Sequence, residues 1–308
     1  MVQDKYNPLI SVGVIAYNSS EFIIDVLESI KSQTYQNIEL IVSDDKSSDN
    51  TVDICKEWIS HNKDRFVRTE VIVPEQNTGT AGNYNRALYA SRGEWMKFID
   101  ADDIMFPNCL EDNVDYVSKH PEAKVVFSDI LYFSNVNNIG NRHFVTKEHK
   151  AFFDMNAHDQ LMILLIKNRM PPSSSFIQTK LLMENPYQEE YKLIEDAPKW
   201  IDLTNKGYKF YYFDKVTTGY RECLSVTRSG KRFYTPLAVE CVFKYLWSEQ
   251  MDLIKKYNNI EAYNYQRKQA LTIELAFALF DNKKTVLNNI LFQFVRVFVK
   301  FCIHYKLH

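Results

Sequence analysis

The chain is poor in glycine, with eight in 308 residues. No G-x-G-x-x-G follows its first strand-like run, which argues against a nicotinamide dehydrogenase. It also lacks an excess of charge: the formal value is -2 and the pI about 6.4. No basic face is available to release counterions from a polyanion, so a nucleic-acid partner is excluded from the leading readings. The five cysteines, Cys55, Cys109, Cys223, Cys241 and Cys302, are odd in number and scattered, without a C-x-x-C pair. With no signal-peptide h-region at the start, a reducing cytoplasm is the expected setting. Internal repeats, low-complexity tracts and obvious linkers are absent as well.

What is present is the composition of a folded protein, 45% hydrophobic and 25% charged, with room for one large domain or two modest ones. From Leu9, "LISVGVIAYN" is a short β-branched run closed by Tyr17 and Asn18, as expected for a strand buried on both faces. In "SSEFIIDVLESIKSQ" Phe22, Ile23, Val26, Leu27 and Ile30 recur at helical spacing, with Ser19 or Ser20 placed to cap. The cycle repeats: "IELIVSDD", "TEVIVPE" and "EWMKFID" read as strands, "NTVDICKEWISHN" and "AGNYNRALYAS" as helices. This predicts a parallel sheet in βαβ units, which binds ligands at the carboxyl ends of its strands.

The polar residues that stand out fall at those ends. Tyr17 and Asn18 close the first strand, Asp44 and Asp45 the second, Asn77 and Gly79 follow the third, and Asp100, Asp102 and Asp103 end the fourth. Each has a plainer reading beside the functional one. Tyr17 suits a half-buried core position or a stacking platform. Asp44 and Asp45, before "KSSDNT", suit a helix cap, a task for which Ser48 or Asp49 is better placed. The acidic stretch before Pro107 suits a surface turn or a hard cation. Glu195 and Asp196, ahead of Trp200, suit a pair complementing a helix dipole or a catalytic pair.

Laid side by side, "VIAYN", "IELIVSDDKSSDNT", "NTGTAGNYNRAL" and "ASRGEWMKFIDADD" resemble the family 2 glycosyltransferases of the GT-A fold over Pro8 to Ser229. The resemblance implies an α/β fold, a mostly parallel Rossmann-like sheet flanked by helices. A catalytic domain would cover residues 1–229, with a nucleotide-sugar-binding half at 1–105 and an acceptor half at 106–229. A helical C-terminal region would follow at 230–308. The resemblance implies an inverting enzyme that moves one sugar from a nucleotide diphosphate sugar, a UDP-sugar by preference, to a glycan or lipid-linked acceptor in surface polysaccharide synthesis. Tyr17 and Asp45 would hold the base, with Asn18, Asn77, Gly79 and Asn85 also on the donor side. Asp100 would face the ribose, and Asp102 and Asp103 a divalent ion, Mn²⁺ or Mg²⁺. Asp196 would be the base and Glu195 its supporting carboxylate, while Arg221 would meet diphosphate oxygens.

In "VTTGYRECLSVTRS" the chain departs from the family pattern, because Cys223 stands where a metal-binding histidine is often found, although Tyr220, Arg221 and Ser225 match. The rival readings are a nucleotidyltransferase and a non-catalytic relative that binds nucleotide sugars. The first would want a basic glycine-rich loop after the first strand, and "YNSSEF" has no Lys, Arg or Gly.

From Thr285, "TVLNNILFQFVRVFVKFCIHYKLH" aligns Asn289, Gln293, Arg296, Lys300 and His304 in one polar stripe among apolar residues. A spanning helix needs about 20 predominantly apolar residues, and Arg296 and Lys300 interrupt this one. Two readings remain for it: a helix lying in a membrane headgroup plane, or a helix packed on the protein.

Overall fold

The computed structural model describes residues 6–136, 138–168, 170–222, 232–235, 239 and 241–305. The four apolar runs form strands β1 (Ile10–Ala16), β2 (Ile38–Asp44), β3 (Arg68–Ile72) and β4 (Trp95–Asp100). They lie side by side in the order β3-β2-β1-β4, every pair parallel. Every side chain of β1 and β2 is buried, which explains their continuous rather than alternating hydrophobicity. Helix α1 (Ile23–Lys31) covers one face through Ile23, Val26, Leu27 and Ile30, all without solvent contact. Burying each such side chain contributes about 1.5–3 kcal/mol. Helices α2 (Thr51–Asn62) and α3 (Thr80–Ala90) complete the crossovers.

The sheet continues past β4 in the order β8-β6-β9-β5, with β7 beside β6. These strands are β5 (Ile104–Met105), β6 (Val125–Asn135), β7 (Asn138–His143), β8 (Ser175–Gln178) and β9 (Phe210–Arg221). Here β8 runs antiparallel to both β4 and β6, while β9 is parallel to β6. The helices of this half are α4 (Cys109–Lys119), α5 (Lys147–Asp154), α6 (Ala157–Ile166), α7 (Thr179–Glu184) and α8 (Asp196–Asn205). The expected α/β architecture is present, and the residues after β4 bring the antiparallel pairings.

The expected serine cap of α1 is not made. Phe22 is the N-cap residue without a side-chain bond, and the carbonyl of Ser19 accepts from Phe22 and Ile23 instead. Ser19 and Ser20 turn their own N–H groups to Thr51 Oγ1 and Asp49 Oδ2, which ties the end of β1 to the start of α2.

Contacts divide the chain into two units, Met1–Leu161 with Arg169–Cys223, and Met162–Asn168 with Leu224–His308. The second contains a π-helical segment, Cys241–Gln250, and helices α9 (Met251–Lys256), α10 (Ile260–Phe280) and α11 (Val286–Tyr305). Asn259 caps α10 by accepting from Ala262 N. The amides of Gln250 and Gln266 both donate to the carbonyl of Leu165. Among the described residues, no helix is long and apolar enough to cross a membrane.

Candidate active site

Register brings the strand ends together. Ala16 pairs with Asp44, and Ile15 with Asp100, so the ends of β1, β2 and β4 open on one edge. Tyr17 stands there 53% exposed, which removes the core reading and leaves a ring face available for stacking. Beside it Asn18 adopts φ 49°, a conformation that asparagine tolerates better than most residues. Its side-chain oxygen accepts from Ser48 N at 2.8 Å, and its own N–H donates to Ser47 Oγ at 2.7 Å. Asp44 accepts from the backbone and hydroxyl of Ser47. These bonds lock the loop after β1 to the loop after β2.

Asp45 is buried and its carboxylate is occupied by the protein. It accepts from Thr78 N and Oγ1, from Gly79 N at 2.8 Å and from Arg86 Nη2 at 3.1 Å. Through these bonds Asp45 holds the loop after β3. Asn77 assists by donating to Asp45 O at 2.9 Å. Gly79 has φ 85°, and a β-carbon there would lie 2.5 Å from the carbonyl oxygen of Lys192. Only glycine allows this approach. Asn85, expected on the donor side, is buried. Its amide donates to Tyr187 O and Glu189 Oε1 and accepts from Tyr187 N, clamping the segment that leads into α8.

That segment delivers the second set of acids. Glu195 is the N-cap residue of α8 and Asp196 its first residue, with Asp196 Oδ1 accepting from Ala197 N at 2.6 Å. Both face the acids that end β4. Burial, and then the charges of Asp102 and Asp196, raise the Asp100 carboxyl to about 7, against a hydrogen bond from Tyr84 that favours the anion. Burial, then Asp196 and Asp100, push Glu195 well up. Asp100 and Glu195 retain some solvent contact while lying deep among protein atoms. Burial, then Asp100 and Asp102, raise Asp103 as well. Five carboxylates from two distant stretches therefore act on one another.

Asp103 accepts from Arg221 N at 2.9 Å through Oδ1, while its buried Oδ2 has no hydrogen-bond partner. The hydroxyl of Ser173 favours the anion from nearby without a hydrogen bond of good geometry. Arg221 does not point into the site as expected. Its Nε donates to Asp102 O, its Nη2 to Asp25 Oδ2, and its guanidinium lies 4.6 Å from the ring centres of both Phe22 and Phe133. It is a strut that fixes β9 to the acidic turn. Cys223 and Ser225 lie outside the described residues.

A hard cation suits this donor set. The acids supply oxygen ligands, one buried carboxylate oxygen has no partner, and the buried lysine of β4, Lys97, turns its ammonium to the carbonyls of Ser173 and Ser175. Among the described residues no three His, Cys, Asp or Glu side chains form a ligand cluster.

Residues 11–175 match the profile of glycosyl transferase family 2. The chain belongs to this family. It is 35% identical over 135 residues to the Bacillus subtilis protein named putative glycosyltransferase EpsE, covering 44% of this chain and 48% of that one. The chain thus spans about half the length of that relative. An Escherichia coli relative named UDP-Glc:alpha-D-GlcNAc-diphosphoundecaprenol beta-1,3-glucosyltransferase WfaP is 29% identical over 216 residues, 69% of this chain and 77% of its own. Among solved structures, the mannosyltransferase PcManGT from Pyrobaculum calidifontis, in complex with GDP-Man and Mn²⁺, aligns with a TM-score of 0.58 at 16% identity, covering 95% of this chain and 81% of that one. At that identity it supports the fold, and the fold agrees with the α/β class expected from sequence.

Several residues of this family 2 chain had no sequence signal. Arg86, Asp25, Tyr84, Tyr187 and Lys199 act through partners far along the chain. Lys199, one turn after Asp196, donates to the carbonyls of Asn185 and Pro186 and lies 4.7 Å from the Tyr187 ring centre. Burial lowers its ammonium to about 8.

Proposed function

We propose that the protein transfers one sugar from a nucleotide diphosphate sugar, with UDP-sugars first among the donors, to a hydroxyl of a lipid-linked glycan, inverting the anomeric carbon. The observation that carries this reading is that the segment leading to Asp196 packs beside the acidic end of β4: Tyr84 donates to Asp100 Oδ1 at 3.0 Å, and its ring centre lies 5.0 Å from that of Tyr187. It joins a carboxylate suited to proton transfer with the acids suited to a diphosphate-bound ion.

In the transfer, the acceptor oxygen forms a bond to the anomeric carbon as the bond from that carbon to the diphosphate oxygen breaks. The electron pair leaves with the nucleotide diphosphate, and Asp196 takes the hydroxyl proton, a service contributing about 10²–10⁴-fold. Glu195, whose carboxyl is pushed up by burial and then by Asp196 and Asp100, is the supporting carboxylate beside that base. Tyr17 stacks on the base, and Asn18 and the Asp45-held loop frame it. Asp102 and Asp103 would hold the divalent ion. When bound, Mn²⁺ or Mg²⁺ supplies Lewis-acid stabilisation to the departing diphosphate. The E. coli relative's name, with its polyprenyl diphosphate acceptor, supports surface polysaccharide synthesis at the cytoplasmic face of a membrane.

The test is nucleotide release from a panel of UDP-, GDP- and dTDP-sugars, with Mn²⁺ or with a chelator, in the presence and absence of a polyprenyl-diphosphate saccharide. Metal-dependent release of UDP, increased by the acceptor, is the expected result. Absence of release from every donor would contradict the transferase reading.

A further inference from the structure

The outer edge of β9 is left open at its start. Strand β5 pairs with it only at Thr218 and Gly219, and among the described residues no strand lies on that side of Phe210–Asp214. Neighbouring strand residues face opposite ways: Phe213 stacks on Tyr116 of α4 with ring centres 5.2 Å apart, and Tyr212 on Phe153 of α5 at 5.0 Å. Helices α4 and α5 therefore flank the edge from the two faces of the sheet, and between them is a cavity of about 520 Å³ lined by Tyr116, Phe153, Tyr211 and Tyr212. That volume is within the range of small-ligand sites, roughly 300–1,000 Å³. Because β9 is parallel to β6, and β8 antiparallel to both β6 and β4, the start of β9 lies at the opposite end of the sheet from the acids that close β4. The cavity is thus apart from the transfer site.

Its polar groups select the occupant. Asp154 and Lys209 line the cavity, and among the described residues neither side chain has a hydrogen bond or an ion pair, while the Lys209 ammonium lies 5.2 Å from the Tyr211 ring centre. The other charged pair of the lining is closed on itself, Lys150 donating to Asp214, and His120 is turned to Glu122 at 3.5 Å. Two lysines balance two aspartates, so neither a phosphate nor a metal ion meets an excess of the opposite charge. An added peptide strand is disfavoured too. Between the partners of Ser128 and Asp129, β9 has two extra residues, Asp214 and Lys215, and these exposed charges, paired with Lys150 and Asp112, spoil the edge for pairing. What remains is a neutral ligand with apolar faces and a rim that both donates and accepts. A pyranose has that surface: C–H faces suited to tyrosine rings, and hydroxyls able to donate to a carboxylate and accept from an ammonium. We propose that this cavity binds a neutral saccharide, its rings against Tyr211 and Tyr212 and its hydroxyls shared between Asp154 and Lys209. Stacking on Phe153 and Phe213 holds the aromatic wall in place before the sugar arrives, which lowers the ordering cost of binding. The site holds a glycan without acting on it, so it stands or fails independently of the transfer reaction.

Neutral tetrasaccharides of glucose, galactose and N-acetylglucosamine are titrated into the full-length protein and followed by saturation-transfer NMR and calorimetry. At least one of them is expected to bind, and binding should persist with UDP and Mn²⁺ present at saturation. Asp154→Ala and Lys209→Met should each weaken it about 10-fold or more, as expected for a lost hydrogen bond to a charged group. Melting temperature and nucleotide release should stay at the parent values, because neither side chain is bonded within the protein. Tyr211→Leu, which keeps apolar volume and removes the ring, should weaken binding as well. Absence of binding by all three saccharides would overturn the proposal. So would binding that UDP displaces, which places the sugar at the transfer site, or binding that Asp154→Ala and Lys209→Met both leave at the parent affinity.

Discussion

The backbone N–H of Arg221 donates to Oδ1 of Asp103 at 2.9 Å, across 118 residues of chain. The last residue of β9 thereby holds the last acid of the β4 turn, while the guanidinium of the same arginine holds Asp102 O and Asp25. The acidic turn is rigid because β9 fixes it.

Replacing Arg221 with lysine keeps the charge and loses the fork. The hydrogen bonds to Asp25 and to Asp102 O are charge-assisted, and such bonds contribute about 1.5–3 kcal/mol each. Lysine can keep one of the two bonds, and Asp25 is about a third exposed (side chain 35%), so the expected loss is roughly 2 kcal/mol. Chemical denaturation measures it. A diphosphate contact alone would instead lower nucleotide affinity at unchanged stability.

The raised Asp100 carboxyl gives a pH signature. The unfolded carboxyl ionises near about 4 and the folded one near about 7, so between these values the folded protein binds more protons and its stability falls as pH rises. Metal-free protein should lose melting temperature across this window, and Asp100→Asn should lose less. Asp103, assigned to the ion, is raised in the same direction by burial and then by Asp100 and Asp102, and ligands must be deprotonated to bind an ion, so Mn²⁺ should raise the melting temperature more at the upper end of the window than at the lower. Equal shifts at both ends would contradict the assignment of these acids to the ion.

Asn85→Ala separates a clamp from a donor ligand. It leaves the buried N–H and C=O of Tyr187 unpaired, at about 1–3 kcal/mol for a lost buried partner. Stability should fall, and transfer with it as α8 loses its approach to β4, while UDP affinity measured by calorimetry stays near the parent value. A selective loss of UDP affinity would restore the donor-side role.

Much of this site was legible because strand ends announce themselves. Runs such as "VGVIA" are apolar throughout, so Tyr17, Asp45 and Asp100 at strand ends are visible as exceptions, whereas the buried Lys97 inside "WMKFI" went unremarked. The locations of Glu195 and Asp196 beside Asp100 followed only from family resemblance, and the fold brings the two pairs together. The partners of Asp45, Asn85 and Arg221 were not legible. A buried polar group is satisfied by whichever partner the fold brings near, and Thr78, Tyr187 and Asp25 carry no local pattern that names them. The antiparallel β8 was hidden for a related reason: four residues, Ser175–Gln178, are too few to display a period.

Tyr17→Ala tests the stacking platform. The ring is more than half exposed, so the melting temperature should be almost unchanged, whereas UDP affinity should fall by the equivalent of about 1–3 kcal/mol for a lost base stack. Unchanged affinity would leave Tyr17 without a role in binding.

The central claim is that Asp196 removes the acceptor proton, and Asp196→Asn tests it most directly. The amide keeps the size of the side chain and an oxygen able to accept from Ala197 N, but has almost no basicity. With donor and acceptor saturating, the transfer rate should fall by at least about 10², while UDP affinity stays and the melting temperature changes little. If Asp196 only complements the dipole of α8, the variant loses roughly 0.3–1 kcal/mol of stability and turns over at the parent rate, and that result would contradict the account.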